Sequence, residues 1–188
     1  MTEKFRNRYR VQTTRLNGYD YTRNGAYYIT ICTRKKIPSF GIIDDGKMIL
    51  SETGIVVHDY WLQIQIHFPN IQIDEFVIMP DHLHGIIIIK SKHNSDCTSV
   101  ETPNLGVSTT GKSRNLFWKS NSIGSIINQF KRICTIKTKS LGLDLLWQPR
   151  YYDHIIRSDN ELDRIRTYIK NNPNDWLNDN HTVNPNNM

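Results

Sequence analysis

In the segment Met79-Pro80-Asp81-His82-Leu83-His84-Gly85, two histidines stand at i and i+2 inside an apolar, β-branched context. On an extended strand that spacing turns both imidazoles to one face, with Cα atoms about 6.6 Å apart, and turns Leu83 to the other. Neutral imidazole nitrogens so placed can close on one divalent ion, with Asp81 near enough to orient a ring. The same spacing also describes a solvent-side pair on an edge strand, and two ligands do not complete a site.

A second group of chemically capable residues stands near the C-terminus. Between Asp159 and Asn172, Leu162, Ile165 and Ile169 form an apolar helical stripe, while Arg164, Tyr168 and Asn172 follow one another at i+4 on a neighbouring polar stripe. A tyrosine hydroxyl, with a reference pKa of about 10, is a poor nucleophile at neutral pH, so attack on phosphorus calls for a metal that polarises the phosphate. Asn172 has a carbonyl oxygen to offer as a third ligand. Equally, Tyr168 can be a half-buried packing residue and Asn172 a helix-end residue. Trp147-Gln148-Pro149-Arg150-Tyr151-Tyr152-Asp153-His154 crowds three aromatics, an arginine and a histidine together, a composition suited to stacking on bases and gripping phosphates, or to a core.

These residues need elements to hold them. Ala26–Thr33 reads as a strand entered through Asn24-Gly25, with Lys47–Leu50 as its neighbour after an Asp-Asp-Gly turn. A helix starting at Ser51 or Thr53 runs to the Phe68-Pro69-Asn70 break, followed by paired strands Ile71–Met79 and His82–Lys90. A further helix spans about Ser122–Thr138, a strand Tyr151–Arg157, and a last helix Asp159 to about Asn171. Ser158 and Glu161 have capping-box spacing at its start, and Pro173 is expected to stop it. Order and pattern predict a single α+β domain over 1–188, with helices packed on one face of an antiparallel sheet. The Ser/Thr/Asn/Gly-rich passage 91–121 reads as a loop insertion, and 174–188 as a short flexible tail.

The chain has 188 residues, 38% hydrophobic and 22% charged, with a mean hydropathy of −0.53, which excludes wholesale disorder, fibres and membrane-embedded proteins. The net charge of +6 is uneven. Residues 1–36 hold nine bases against two acids, and Thr102–Leu143 holds seven bases and no acid. Such stretches suit a polyanionic partner or are ordinary solvated faces. Three distant cysteines argue against a disulfide framework or a cysteine zinc site, and no segment has the apolar length of a membrane span. A cytoplasmic location, without membrane association, is the expectation.

Five segments in order carry a resemblance: Arg15–Tyr21, Gly25–Thr33, Phe76–Ile86, Trp147–Arg157 and Arg166–Pro173. Together the sequence resembles the single-tyrosine HUH transposases, and within them the REP-associated tyrosine transposase-like proteins. The resemblance implies a ferredoxin-like or RRM-like sheet, the HUH endonuclease fold, with the histidine pair on a central strand and the nucleophile on a C-terminal helix. It implies His82, His84 and Asn172 as ligands of Mg²⁺ or Mn²⁺, and Tyr168 as the nucleophile that cleaves single-stranded or hairpin DNA through a 5′-phosphotyrosine. Arg15, Lys119, Lys131, Arg132, Gln148, Arg150, Tyr152 and His154 are the expected DNA-binding residues. The protein would act as a monomer or homodimer. The competing expectation is an inactive or domesticated module that binds hairpin DNA or RNA, in which Tyr27 and Tyr28 would stack bases.

Overall fold

The computed structural model describes residues 4–5, 8–9, 19–90 and 122–176. Their elements are β1 (Lys4–Phe5), β2 (Arg8–Tyr9), β3 (Gly25–Cys32), β4 (Gly41–Asp44), β5 (Lys47–Leu50), α1 (Glu52–His67), β6 (Ile71–Ile78), β7 (His82–Ile89), α2 (Ile123–Ser140), β8 (Tyr152–Ile156) and α3 (Asp159–Asp175). A four-stranded antiparallel sheet runs in the order β6-β7-β3-β8. The chain therefore forms the sheet as β3-α1-β6-β7-α2-β8, the ferredoxin-like arrangement expected for this α+β chain.

Strand alternation decides which residues meet which helices. Tyr27, Ile29 and Ile31 of β3, with Leu83, Ile87 and Ile89 of β7, join Val57, Trp61, Ile126, Ile127 and Phe130 of α1 and α2 in the main core. Gly85 lies within this layer because Trp61 packs against it: a Cβ there would sit 2.5 Å from the indole. The opposite residues, Ala26 and Tyr28 of β3 and Ile86 and Ile88 of β7, pack with Ile156 of β8 and Leu162, Ile165 and Ile169 of α3. α1 and α2 thus cover one face as expected, while α3 covers the other, and both central strands are buried on both sides.

Three local expectations change. β5 does not pair with β3, because Asp45 (φ 46°) and Gly46 (φ 68°) form a tight left-handed turn that folds it onto β4 as a separate two-stranded hairpin. Both edges of β3 are taken by β7 and β8. α3 does not stop before Pro173 but continues to Asp175. A proline this close to the end withholds one N–H from the Ile169 carbonyl, while the Trp176 N–H still donates to the Asn172 carbonyl at 3.0 Å. The expected tail at 174–188 therefore begins as helix, and 177–188 lie outside the described residues. At the other end of α3, Ser158 Oγ accepts from the Glu161 N–H as the capping box requires, but the Glu161 carboxylate reaches one residue further back, to the Arg157 N–H at 2.8 Å, and to His154. The insertion 91–121 lies outside the described residues.

Candidate active site

β7 presents His82 and His84 side by side on the α3 face, with Leu83 fully buried in the main core. Their Nε2 atoms converge to 2.9 Å. Each ring is held by its other nitrogen: His82 Nδ1 by the carboxylate of buried Asp81 at 2.5 Å, and His84 Nδ1 by the Tyr28 hydroxyl at 2.7 Å and Thr30 Oγ1 at 2.9 Å. Tyr28 and Thr30 reach His84 because β3 pairs with β7 in a register that sets Thr30 directly opposite His84. Burial of His84, which is 7% exposed, together with the neighbouring His82 lowers its pKa to about 3, so this imidazole is neutral and has a lone pair to give. The solvent-side, edge-strand position that the spacing also describes is corrected here: β7 is an inner strand and α3 covers His84.

Three residues at i+4 spacing line the side of α3 that faces the pair. The Tyr168 ring stands 5.5 Å from the His84 ring and the Trp176 ring 5.7 Å from the His82 ring. Asn172 lies between them on the same stripe and is buried. Tyr168 is 49% exposed while its ring lies against that of His84. It also meets the Tyr28 ring edge-on at 6.4 Å. Burial raises the Tyr28 pKa well above the ordinary phenol value, which keeps that hydroxyl protonated at neutral pH.

Two ligands at right angles on an ion with bonds of about 2.1 Å stand about 3.0 Å apart, close to the separation of the two Nε2 atoms. The donor set therefore suits a divalent cation that accepts imidazole. Among the described residues no group of three His, Cys, Asp or Glu could complete such a site. A third protein ligand would come from another residue type, and Asn172 is the carboxamide on the facing stripe.

The remaining sequence-predicted residues divide into groups. Tyr152 and His154 lie on β8 opposite Thr30 and Tyr28, on the α3 face, and Tyr152 meets the Tyr28 ring at 6.3 Å. His154 is engaged by Glu161 at 2.8 Å. Lys131 and Arg132 belong to α2 and so to the opposite layer. The Lys131 ammonium donates to the Gln148 and Arg150 carbonyls at 2.9 and 2.5 Å, and burial lowers its pKa to about 8. It braces the loop in which Arg150 takes a left-handed φ of 68°. Gln148 is tied by its N–H to the Cys32 carbonyl, leaving its side chain and that of Arg150 exposed. Arg15 and Lys119 lie outside the described residues. Base stacking by Tyr27 is overturned, since that ring is fully buried in the main core and its hydroxyl donates to the Arg23 carbonyl.

Sequence reasoning missed Tyr28, Thr30 and Trp176 as parts of this site. Alternation along β3 does separate Tyr28 from Tyr27, but only the β3–β7 register shows which histidine it meets. Trp176 was hidden by the expectation that Pro173 ends the helix.

No protein-family model matches the chain. An uncharacterized protein of Haemophilus influenzae is 37% identical over 175 residues, spanning 89% of this chain and 91% of that one. Among solved structures, that of a REP-associated tyrosine transposase bound to a REP hairpin superposes with a TM-score of 0.54 at 18% identity, covering 87% of this chain and 74% of the other. At that identity the likeness is one of fold. No helix among the described residues is long and apolar enough to cross a membrane.

Proposed function

We propose a function for a chain that belongs to one family with the Haemophilus influenzae protein: metal-dependent cleavage and rejoining of single-stranded DNA near hairpins, as a transposase-like strand transferase. The observation that carries this reading is the meeting of Tyr168 with the His82–His84 pair, three side chains from segments more than eighty residues apart. A module that only binds nucleic acid has no chemical need for a half-exposed tyrosine beside two convergent imidazoles. The solved hairpin-bound transposase of the same fold supports the choice of DNA as substrate.

His82 and His84, with the Asn172 carboxamide, would hold Mg²⁺ or Mn²⁺. When bound, the ion supplies Lewis-acid polarisation of the scissile phosphate. The chain's own residues do the rest. Asp81 orients His82, and Tyr28 with Thr30 orients His84, so both lone pairs point at one place. Tyr168 gives up its phenolic proton and its oxygen attacks phosphorus; the bond from phosphorus to the 3′ oxygen breaks, and that oxygen leaves with a proton as a 3′-OH. The 5′ phosphate stays on Tyr168 as a phosphodiester, so a 3′-OH can later reverse the attack and reseal without an outside energy source. Tyr152, Arg150 and the basic stretches provide stacking and phosphate contacts along the strand.

A labelled hairpin oligonucleotide with a single-stranded flank, incubated with Mn²⁺, is expected to give a protein-linked band on a denaturing gel. Tyr168→Phe is expected to abolish that band while retaining binding in a native gel shift. An unchanged band in Tyr168→Phe would assign the nucleophile elsewhere, and binding without any band in the wild type would favour the inactive-binder alternative.

A further inference from the structure

Two hydroxyls, from Tyr28 and Thr30, converge on one nitrogen, His84 Nδ1, which has room for a single proton or a single lone pair. Without an ion, one set of donors runs unbroken from Tyr28 to Asp81, with Thr30 as the second hydroxyl on Nδ1. The Tyr28 O–H donates to His84 Nδ1, His84 Nε2–H donates to His82 Nε2, and His82 Nδ1–H donates to Asp81. Giving both Nε2 lone pairs to a cation removes the middle link of this chain. The proton of neutral His84 must then sit on Nδ1, which becomes a donor to Tyr28 or Thr30. A phenol that accepts from Nδ1–H has its own proton free, and the Tyr168 ring stands edge-on to the Tyr28 ring at 6.4 Å.

We propose that Tyr28 is a positioning residue that couples cation occupancy to the nucleophile: its hydroxyl proton points at His84 when the pair is empty and at the Tyr168 oxygen when the pair is loaded. Thr30 cannot substitute in the second role, since on β3 it is Tyr28 whose ring touches both His84 and Tyr168. The Tyr28 ring is stacked on His84 at 5.5 Å and 23°, so removing only the hydroxyl keeps the packing. The inference rests on the cation and nucleophile assignments made above.

The test uses the full chain labelled with ¹⁵N-histidine and ¹³Cζ-tyrosine, titrated with Zn²⁺ as a diamagnetic probe that imidazole binds well. His84 is expected to change from the Nε2–H to the Nδ1–H tautomer on Zn²⁺ addition, and the Tyr168 Cζ resonance to shift with it. In Tyr28→Phe the tautomer change is expected to persist through Thr30 while the Tyr168 shift disappears, and adduct formation with Mn²⁺ should slow roughly 10- to 100-fold, the range for loss of a group that orients a ligand. An unchanged His84 tautomer in the wild type, a Tyr168 shift retained in Tyr28→Phe, or an adduct rate within about twofold of wild type in that variant overturns the proposal. The spectroscopic response without cleavage of any DNA would instead uphold the coupling and sink the strand-transfer reading.

Discussion

At the scale of single residues, His84 shows how far spacing can be read and where it stops. The alternation of His82, Leu83 and His84 specifies one shared face for the imidazoles, and the structure has it so. What spacing does not contain is the cover on that face, which comes from a helix eighty residues later, or the hydroxyls of Tyr28 and Thr30, which come from a strand more than fifty residues earlier. On a solvent-side pair, which the spacing also describes, His84→Ala would cost little stability. The structure predicts otherwise: the substitution leaves a cavity and strips the Tyr28 and Thr30 hydroxyls of a buried partner, for an expected loss of about 1–3 kcal/mol by urea denaturation, together with loss of Mn²⁺ binding by titration calorimetry. Unchanged unfolding midpoint and slope would show that the site tolerates the vacancy by closing over it.

At the scale of elements, the question is what holds α3 so that Tyr168 meets the pair. Ile169 is fully buried among Ile86 and Ile156, and gives the helix its seat. Its rotation is set by β6, whose register shifts between Ile73 and Phe76 and so places Asp74 and Glu75 toward the helix. The Arg166 guanidinium forks onto both Asp74 oxygens, at 3.0 and 2.5 Å, and Lys170 meets Glu75 at 3.3 Å. The hydrogen bonds from Arg166 hold the Asp74 carboxyl below its ordinary range. A carboxyl whose folded-state pKa is depressed adds stability above its unfolded value, near pH 4, and loses that contribution as pH falls through the folded value. Asp74→Asn is therefore expected to lower stability at pH 6 by about 1 kcal/mol, discounted for the partly exposed arginine, and to flatten the acid limb of the stability curve below about pH 4. Parallel pH–stability curves for variant and wild type would contradict this. The apolar stripe and serine cap of α3 are visible in its sequence. The bulge that aims Asp74 is not, because a register shift depends on the partner strand.

At the scale of the whole molecule, the order of strands and helices follows from alternation, apolar periodicity and turn residues, and it agrees with the ferredoxin-like sheet found. The departures share one physical origin: pairing and layering are decided between distant segments. β5 chose β4 over β3 because a left-handed turn made that partner local, and α3 took the second face because α1 and α2 already filled the first. That second choice is what brings the C-terminal phenol to the mid-chain imidazoles. The measurement that bears most directly on this juxtaposition is mass-spectrometric mapping of the peptide left joined to DNA after reaction with a hairpin oligonucleotide and Mn²⁺. The account predicts a 5′-phosphate ester on the peptide that contains Tyr168, whereas linkage through Tyr151 or Tyr152, or through any residue on the α1–α2 face of the sheet, would contradict it.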